Sequence, residues 1–230
     1  MKLKILSWNI WCYGNLSQVA QSLKASNADI ICLQEVLPKE NKVNIINYLS
    51  ELGYDHFYAD SMKIEVNGEM IFMENATFSK YKILENKTHI LSETKHRIAI
   101  ESKVQINGAM LHIFNTHLTH EHLKESKERD LQMDSLIKLL PKERVLVMGD
   151  FNSLPNSKTV QKINKVLKNT DPSFTPTWMV YPNGCNVCEP KGINYRLDYI
   201  FASEDIAVLS SKVENFRPSD HLPVSAVIEV

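Results

Sequence analysis

Asp150 and Asn152 follow directly behind the apolar run Val145 to Met148 and Gly149. Such a run reads as a short buried strand. Side chains alternate along extended backbone, so Phe151 turns one way while Asp150 and Asn152 emerge together on the other. Gly, Asp, Asn and Pro are also ordinary turn residues, so this stretch alone is equally a solvated turn. Other segments end in the same fashion. Leu3 to Trp8 runs into Asn9, Ile30 to Leu33 into Gln34 and Glu35, and Leu111 to Phe114 into Asn115, Thr116 and His117. Asp198 lies inside Arg196 to Phe201, and Asp220 and His221 precede the alternating Val224 to Val230. Polar groups delivered at so many strand edges describe one shared cleft. Glu35, Asp150, Asp198 and Asp220 gathered there would repel and raise one another's pKa. A hard divalent cation relieves that repulsion, and oxygen donors suit Mg2+ or Mn2+ better than zinc. Such an ion would act as a Lewis acid on a bound substrate oxygen. His117 and His221 are suited to proton transfer or phosphate binding near neutral pH.

The elements that must hold these residues can be read from periodicity. Leu16 to Ser26 carries apolar residues at helical spacing, and a second helix follows Pro38, with Val43, Ile46, Leu49 and Leu52 on one face and Gly53 as its C-terminal cap. A third helix is expected at Glu128 to Leu140, stopped by Pro141, and a fourth after Ser157 as N-cap. Strands are expected at Leu3 to Asn9, Asp29 to Glu35, Tyr54 to Tyr58, Lys63 to Met73, Asn75 to Lys80, Arg97 to Ile106, Ala109 to His117, Tyr195 to Ala202 and Pro223 to Val230. Asn67-Gly68 and Asn107-Gly108 are hairpin signals. Asp171 to Lys191, with four prolines, reads as a long surface loop beside the cleft. Strands mixed with helices, with hairpins rather than strict βαβ alternation, predict an α/β fold of two mostly antiparallel sheets packed face to face with helices outside.

Composition sets the bounds. A chain of 230 residues, 43% hydrophobic and 23% charged, is long enough for one globular domain over residues 1–230. No apolar run reaches the roughly 18 residues of a membrane span, and Met1 to Trp8 is too short and polar for a secretory signal. A net charge of −1 does not advertise a nucleic-acid coat protein, and it leaves room for a local basic patch. Cys12 and Cys32 read as buried small hydrophobes. Cys185 and Cys188 form a lone Cys-x-x-Cys with no second pair or nearby His to complete a zinc site, so free thiols or a labile loop disulfide are expected. His120 and His122 are assigned to an exposed loop without a ligand role. A cytoplasmic monomer without stable membrane association is the resulting expectation.

The motifs Trp8-Asn9, Leu33-Gln34-Glu35-Val36, Asn115-Thr116-His117-Leu118, Gly149-Asp150-Phe151-Asn152, Leu197-Asp198-Tyr199-Ile200 and Ser219-Asp220-His221 occur in an order that resembles the endonuclease/exonuclease/phosphatase superfamily. That superfamily includes DNase I, exonuclease III-type repair enzymes, tyrosyl-DNA phosphodiesterase 2, neutral sphingomyelinases and inositol polyphosphate 5-phosphatases. The resemblance implies a four-layered α/β/β/α sandwich. It implies Glu35 as principal metal ligand with Asn9 and Asp220 close by, and Asp150 as the group that orients or deprotonates the attacking water. Asn152 resembles a phosphate-oxygen donor, and His221 the histidine that binds the scissile phosphate, hydrogen-bonded to one of the carboxylates. Asp198 resembles the aspartate that supports the His117 region. His117 matches the Thr-His-Leu branch, whereas the exonuclease III-like branch usually carries tyrosine there. Arg97 stands where relatives carry a phosphate-facing arginine, or is a surface strand charge. The implied activity is a Mg2+-dependent phosphodiesterase acting on nucleic acid. Trp178 and Tyr181 would stack on unpaired bases, and Lys124, Lys127 and Arg129 would touch flanking phosphates. A sphingomyelinase-like or inositol phosphate-type phosphoesterase, and a non-catalytic phosphate-binding module, are the alternatives.

Overall fold

The computed structural model describes residues 1–37, 44–66, 68–181 and 185–230, with Val66 described by its backbone alone. Pro38 and Val43 at the second helix, Asn67 of the first hairpin signal and Pro182 of the long loop lie outside the described residues. The chain opens with β1 (Lys2–Asn9), α1 (Leu16–Ser26), β2 (Ile30–Val36) and α2 (Ile45–Glu51). The long hairpin β3 (Asp55–Val66) and β4 (Glu69–Ser79) follows, then β5 (Ile83–Ser92), β6 (Arg97–Ile106) and β7 (Ala109–His117). The remainder is α3 (Lys127–Ile137), β8 (Val145–Asp150), α4 (Lys158–Ile163), β9 (Lys168–Asn169), β10 (Asp198–Ala202), β11 (Ala207–Val213) and β12 (Val224–Glu229).

Two six-stranded sheets result, in the orders β11-β12-β1-β2-β4-β3 and β5-β6-β7-β8-β10-β9. The pairs β1–β2 and β7–β8 are parallel, and the other pairs are antiparallel. Leu3 and Ile5 of β1, Ile113 of β7, Leu146 and Met148 of β8 and Ile200 of β10 fill one core between the sheets. The opposite face of the first sheet packs Leu6, Trp8 and Ile31 against Val19, Leu23, Ile46 and Leu49 of α1 and α2. The opposite face of the second packs Phe114, Val147 and Phe201 against Met133, Leu136, Val160 and Ile163 of α3 and α4. The layers are therefore helix, sheet, sheet, helix, as expected from sheets with both faces covered.

The caps explain where the helices start. Asn15, Asn44, Ser126 and Ser157 each accept a hydrogen bond from a backbone N–H of the first turn. Gly53 at φ +89 closes α2. Leu52, expected on the buried face, is exposed, and Ile45 takes its place beside Ile46 and Leu49. The expected strands Tyr54 to Tyr58 and Lys63 to Met73 are recut by the hairpin. β3 runs unbroken to Val66 through a bulge between Asp60 and Met62.

Strand parity carries the site. In β1 the inward residues are Leu3, Ile5 and then Asn9, and in β8 they are Leu146, Met148 and then Asp150. His117 continues Leu111 and Ile113 of β7, and Asp198 precedes Ile200 of β10 on the same inner face. The apolar gap between the sheets thus ends in polar residues at one rim. Gly149 holds this rim together. Its φ of +155 and its approach to Thr116 of the parallel neighbour leave no room, since a Cβ there would lie 1.9 Å from the Thr116 carbonyl oxygen. Gly149→Ala should therefore cost more than about 3 kcal/mol, in the range reserved for named structural lesions. Urea unfolding checks it, and a loss within about 0.5 kcal/mol, the size of an ordinary surface change, would show that the strands can separate there at no cost.

Candidate active site

Glu35 is the one site residue that parity would turn the wrong way. Ile30 and Cys32 of β2 face the inter-sheet core, so Glu35 should face the helices. The β2–β4 register shifts between Leu33 and Val36, and Glu35 takes a left-handed φ of 58°. A bulge of this kind re-aims a side chain. Glu35 then reaches the cleft, where its Oε1 accepts from Asn9 Nδ2 at 3.0 Å and its Oε2 from the Cys12 N–H at 3.3 Å.

Asn9 Nδ2 also donates to Asp150 Oδ2 at 3.1 Å, so one carboxamide bridges two carboxylates. Its Oδ1 is held by the Trp11 N–H at 3.0 Å. Asp150 Oδ1 accepts from the Asn152 N–H at 2.8 Å, and its Oδ2 lies 3.4 Å from His117 Nε2 and 3.8 Å from His221 Nε2. His221 Nδ1 pairs with Asp198 Oδ2 at 2.9 Å. That bond turns Nε2 toward the cleft, 3.9 Å from Asp220 Oδ1. Asp220 Oδ2 accepts from Trp178 Nε1 at 3.2 Å. Glu35, His117, Asp150, Asn152, Asp220 and His221 line one cleft of about 330 Å³ with Arg97, His120, Trp11 and Tyr13, while Asn9 and Asp198 bond to this lining.

Burial and crowding set the charges. Burial pushes the Asp150 carboxyl up to about 7, and Asp198 adds to the push against the pull of His221. Burial raises Asp220 to about 6, with Glu35 contributing in the same direction. Burial would lower His221, but the charges of Asp198, Asp220 and Asp150 outweigh it and hold the imidazole well above its ordinary value. His117 is held well below, by burial and by Arg97 and His221. The cleft thus favours the cationic form of His221 and the neutral form of His117.

All eight expected site residues, Asn9, Glu35, His117, Asp150, Asn152, Asp198, Asp220 and His221, come together here. Several pairings differ from expectation. Asp198 supports His221, and His117 leans on Asp150 instead. Asp220, expected to pair with a different histidine or the metal because adjacent residues rarely face each other, has its Oδ1 3.9 Å from the Nε2 of its own neighbour His221 and is held by Trp178. Arg97 is no surface charge: it is buried in the cleft wall, donates to the His117 carbonyl at 3.4 Å, and burial lowers it to about 10. Trp178, expected on an exposed loop, is 3% exposed. Its backbone makes isolated bridges to Tyr195 and His221, and its buried ring, held by Asp220, is not free to stack on a base. Arg129 is likewise buried and spent on the carbonyls of Thr119 and Lys124.

Trp11 and Tyr13 escaped the sequence reading, and so did the role of Thr177. Thr177 donates to Asp198 Oδ2 at 2.6 Å and so fixes the carboxylate that holds His221, and nothing in its local sequence announces this. Trp11 and Tyr13 form the cleft rim, next to the first motif. His120 was visible in the histidine-rich run, but assigning it to an exposed loop was mistaken: its Nδ1 lies 2.9 Å from Asn152 Oδ1. His122, Cys185 and Cys188 stand beyond it, with His122 Nδ1 at 3.6 Å from each thiol.

The donor set fits a divalent cation. Four carboxylates face one guanidinium and one cationic imidazole. Asp198 Oδ1 is buried with no hydrogen-bond partner among the described residues. Asp150, Asp198 and His221 offer atoms within 4.8 Å of one another. His221, protonated and bound to Asp198, is a poor ligand in that state, since ligation needs the neutral imidazole. Glu35 and Asp220 are the carboxylates whose charges both bear on the Cys12 thiol, which burial first pushes up. The charge of Glu35 also acts on Asp220, and Asn9 is bonded to Glu35.

Residues 6–221 match the sequence model of the Endonuclease/Exonuclease/phosphatase family. No curated protein matches the chain significantly in sequence. Among solved structures, it is similar to an endonuclease/exonuclease/phosphatase from Beutenbergia cavernae, at 17% identity and TM-score 0.80 over 100% of this chain and 72% of that one. It is similar to the human Nocturnin catalytic domain, solved with a bound sulfate anion, at 21% identity and TM-score 0.78 over 99% and 93%. D. rerio TDP2 complexed with a single strand DNA product aligns at 20% identity and TM-score 0.71 over 100% and 99%. At these identities the likeness establishes the fold.

The His221 proton offers a direct test of the pairing. Because its folded pKa is raised, protonated His221 contributes stability that is fully present below the ordinary value of about 6.5 and is lost as pH rises through the folded value. Asp198→Asn should lower the His221 pKa, followed by NMR of the imidazole ring, and flatten that part of the stability curve. An unmoved His221 titration would assign the proton to Asp150 and Asp220 instead.

Proposed function

The chain belongs to the Endonuclease/Exonuclease/phosphatase family, and on that premise we propose that it is a divalent-cation-dependent phosphodiesterase. It hydrolyses a P–O bond by in-line attack of water, and its substrate class is nucleic acid. The observation that carries this reading is the convergence of Asp150 and the Asp198–His221 pair on one cleft.

The residues divide the work as follows. Cationic His221, fixed through Nδ1 by Asp198, presents Nε2–H to a non-bridging phosphoryl oxygen. Asp150, with a carboxyl near neutrality, accepts the proton of the attacking water as its oxygen bonds to phosphorus. Asn152 spends one Nδ2 proton on the Leu118 carbonyl and keeps the other for a phosphate oxygen. Arg97 adds positive charge in the wall. Mg2+ or Mn2+, held by Glu35 and Asp220 with Asn9 alongside, would supply Lewis-acid polarisation of the phosphoryl group and stabilise charge on the leaving oxygen. The bridging P–O bond breaks, and the leaving oxygen takes a proton from solvent.

Nucleic acid is favoured over a lipid by the rim. Trp11 lies 5.5 Å from Tyr181 and 6.0 Å from Tyr13, which is 65% exposed. Such a cluster offers faces for unpaired bases. No helix among the described residues is long and apolar enough to cross a membrane.

On bis-(p-nitrophenyl) phosphate, Asp150→Asn and His221→Ala should each lower kcat by at least about 10²-fold, the scale of losing one acid-base or electrostatic group. Glu35→Gln should weaken Mg2+ binding, so that extra Mg2+ partly restores the rate. Equal rates with EDTA and with Mg2+ would overturn the metal dependence. Because Asp150 and Asp220 hold protons up to about 7 and about 6, Mg2+ affinity should fall as pH drops through that range. Calorimetry in buffers of different ionisation heat would detect the released protons.

Tyr13→Ala should raise KM for a single-stranded oligonucleotide by roughly 5-fold or more, as expected for losing stacking worth about 1–3 kcal/mol per base. The effect on bis-(p-nitrophenyl) phosphate should be much smaller. Turnover of sphingomyelin or an inositol phosphate far above DNA and RNA oligonucleotides would remove the substrate assignment.

A further inference from the structure

We propose that His120, His122, Cys185 and Cys188 hold a zinc ion at the rim of the cleft, a second metal site separate from the carboxylate cluster. The four side chains come from segments some sixty residues apart, yet their ligand atoms all lie within 4.8 Å of one another. His122 Nδ1 is 3.6 Å from Cys185 Sγ, 3.6 Å from Cys188 Sγ and 3.1 Å from His120 Nε2. Tetrahedral zinc with Zn–S of about 2.3 Å and Zn–N of about 2.0–2.1 Å has N···S edges of about 3.6 Å and N···N edges of about 3.3 Å. The His122 distances are close to those edges.

The surroundings prepare each ligand. Asn152 Nδ2 donates to the Leu118 carbonyl at 2.9 Å, which leaves Asn152 Oδ1 as an acceptor. His120 Nδ1 lies 2.9 Å from that oxygen and must carry the proton. Its Nε2 then presents a lone pair toward His122 and the thiols, as a ligand oriented by its second nitrogen requires. On the other side, the Cys188 N–H donates to Cys185 Sγ at 3.3 Å, and the Glu189 N–H closes the turn on the Cys185 carbonyl at 3.0 Å. An N–H aimed at sulfur favours the thiolate. Cys185 and Cys188, with Leu123, Leu154 and Tyr195, pack against the apolar cluster of Trp178, Met179 and Leu197.

Two thiolates and two imidazoles are a soft set that selects zinc over Mg2+ or Mn2+. All four positions are protein ligands, which is the closed arrangement of a structural ion rather than a catalytic one. Its effect would be to tie the segment after β7 to the loop before β10 and to hold His120, and through it Asn152, in place. The inference does not depend on the phosphodiesterase reading, because its readout is metal content and spectroscopy.

The chain is expressed with Zn2+, purified under a phosphine reductant and dialysed against excess Mg2+. About one zinc per chain should remain by elemental analysis, released on titration with a mercurial thiol reagent. Replacement with Co2+ should give thiolate-to-cobalt charge-transfer absorption and strong tetrahedral d–d bands. Cys185→Ser with Cys188→Ser should abolish both, and His122→Ala should weaken zinc retention and shift the d–d bands. If the double variant is unfolded by circular dichroism, the cobalt spectrum of the unaltered chain decides. A folded unaltered chain without zinc and without the charge-transfer band overturns the proposal. So does zinc held equally by the folded double variant, which would place the ion among the carboxylates, and so does a Cys185–Cys188 disulfide in reduced preparations.

Discussion

Buried negative charge at the rim of the inter-sheet gap is the constraint on which this architecture turns. Taking a carboxylate out of water carries an effective penalty of several kcal/mol per ion even after relaxation. Asp150, Asp198 and Asp220 are all nearly inaccessible. The surrounding structure is arranged so that each has a donor: Asn152 and Asn9 for Asp150, Thr177 and His221 for Asp198, Trp178 for Asp220. Just behind the cluster, Gln34 Nε2 donates to Asn115 Oδ1 at 2.8 Å, and Asn115 donates to the carbonyls of Leu33 and Ala76. The two sheets are therefore fastened by polar bonds at the place where the apolar core stops. Separating them there would strand buried amides, a cost of about 1–3 kcal/mol per group.

How much of this could be read from residue order follows from what each feature requires. Inward residues of β1, β7, β8 and β10 were legible because parity is local: an apolar alternation that ends in Asn9, His117, Asp150 or Asp198 needs no knowledge of partners. The family resemblance placed all of them in one site. The strands Ile83–Ser92 and Ala207–Val213 were not anticipated, because both are largely exposed along their length and show little apolar patterning. Each lies at the end of its sheet. There pairing with one neighbour suffices to define a strand, and its own sequence need not bury a face. That His221 bonds a carboxylate was expected, but Asp198 was assigned to the His117 region rather than to His221, for a related reason. Partner choice depends on how strands from different parts of the chain meet, and order along the chain does not contain it.

The loop before β10 shows the same limit in its sharpest form. Four prolines and little periodicity describe a surface segment, and part of it is one, since Phe174 and Tyr181 are exposed. Yet Thr177 to Val180 is stitched into the site. The Leu222 N–H reaches the Thr177 carbonyl at 2.7 Å, and the Val180 N–H reaches the Asp220 carbonyl at 2.7 Å. Proline restricts conformation without saying where the chain goes, so the composition was compatible with either outcome. The error had a consequence: it offered Trp178 to the substrate, when its indole is needed to satisfy Asp220.

The cleft therefore presents two donor sets of opposite character, joined by one hydrogen bond between Asn152 and His120. On one side stand carboxylate and carboxamide oxygens, suited to a hard ion that exchanges and keeps its waters. On the other stand two sulfurs and two imidazole nitrogens, suited to a soft ion that stays. A phosphate oxygen arriving at Asn152 would meet a carboxamide whose orientation is set from behind by the His120 imidazole, which neighbours His122 beside the thiol pair. Small rotations of a polar group at the reacting centre are expensive in rate, since effective geometry accounts for about 7–11 kcal/mol of barrier lowering at best. A rigid anchor on the rim loop would act on that term without touching the substrate. The loop's contribution to the site would then lie less in what its side chains contact than in how firmly it holds the residues that do.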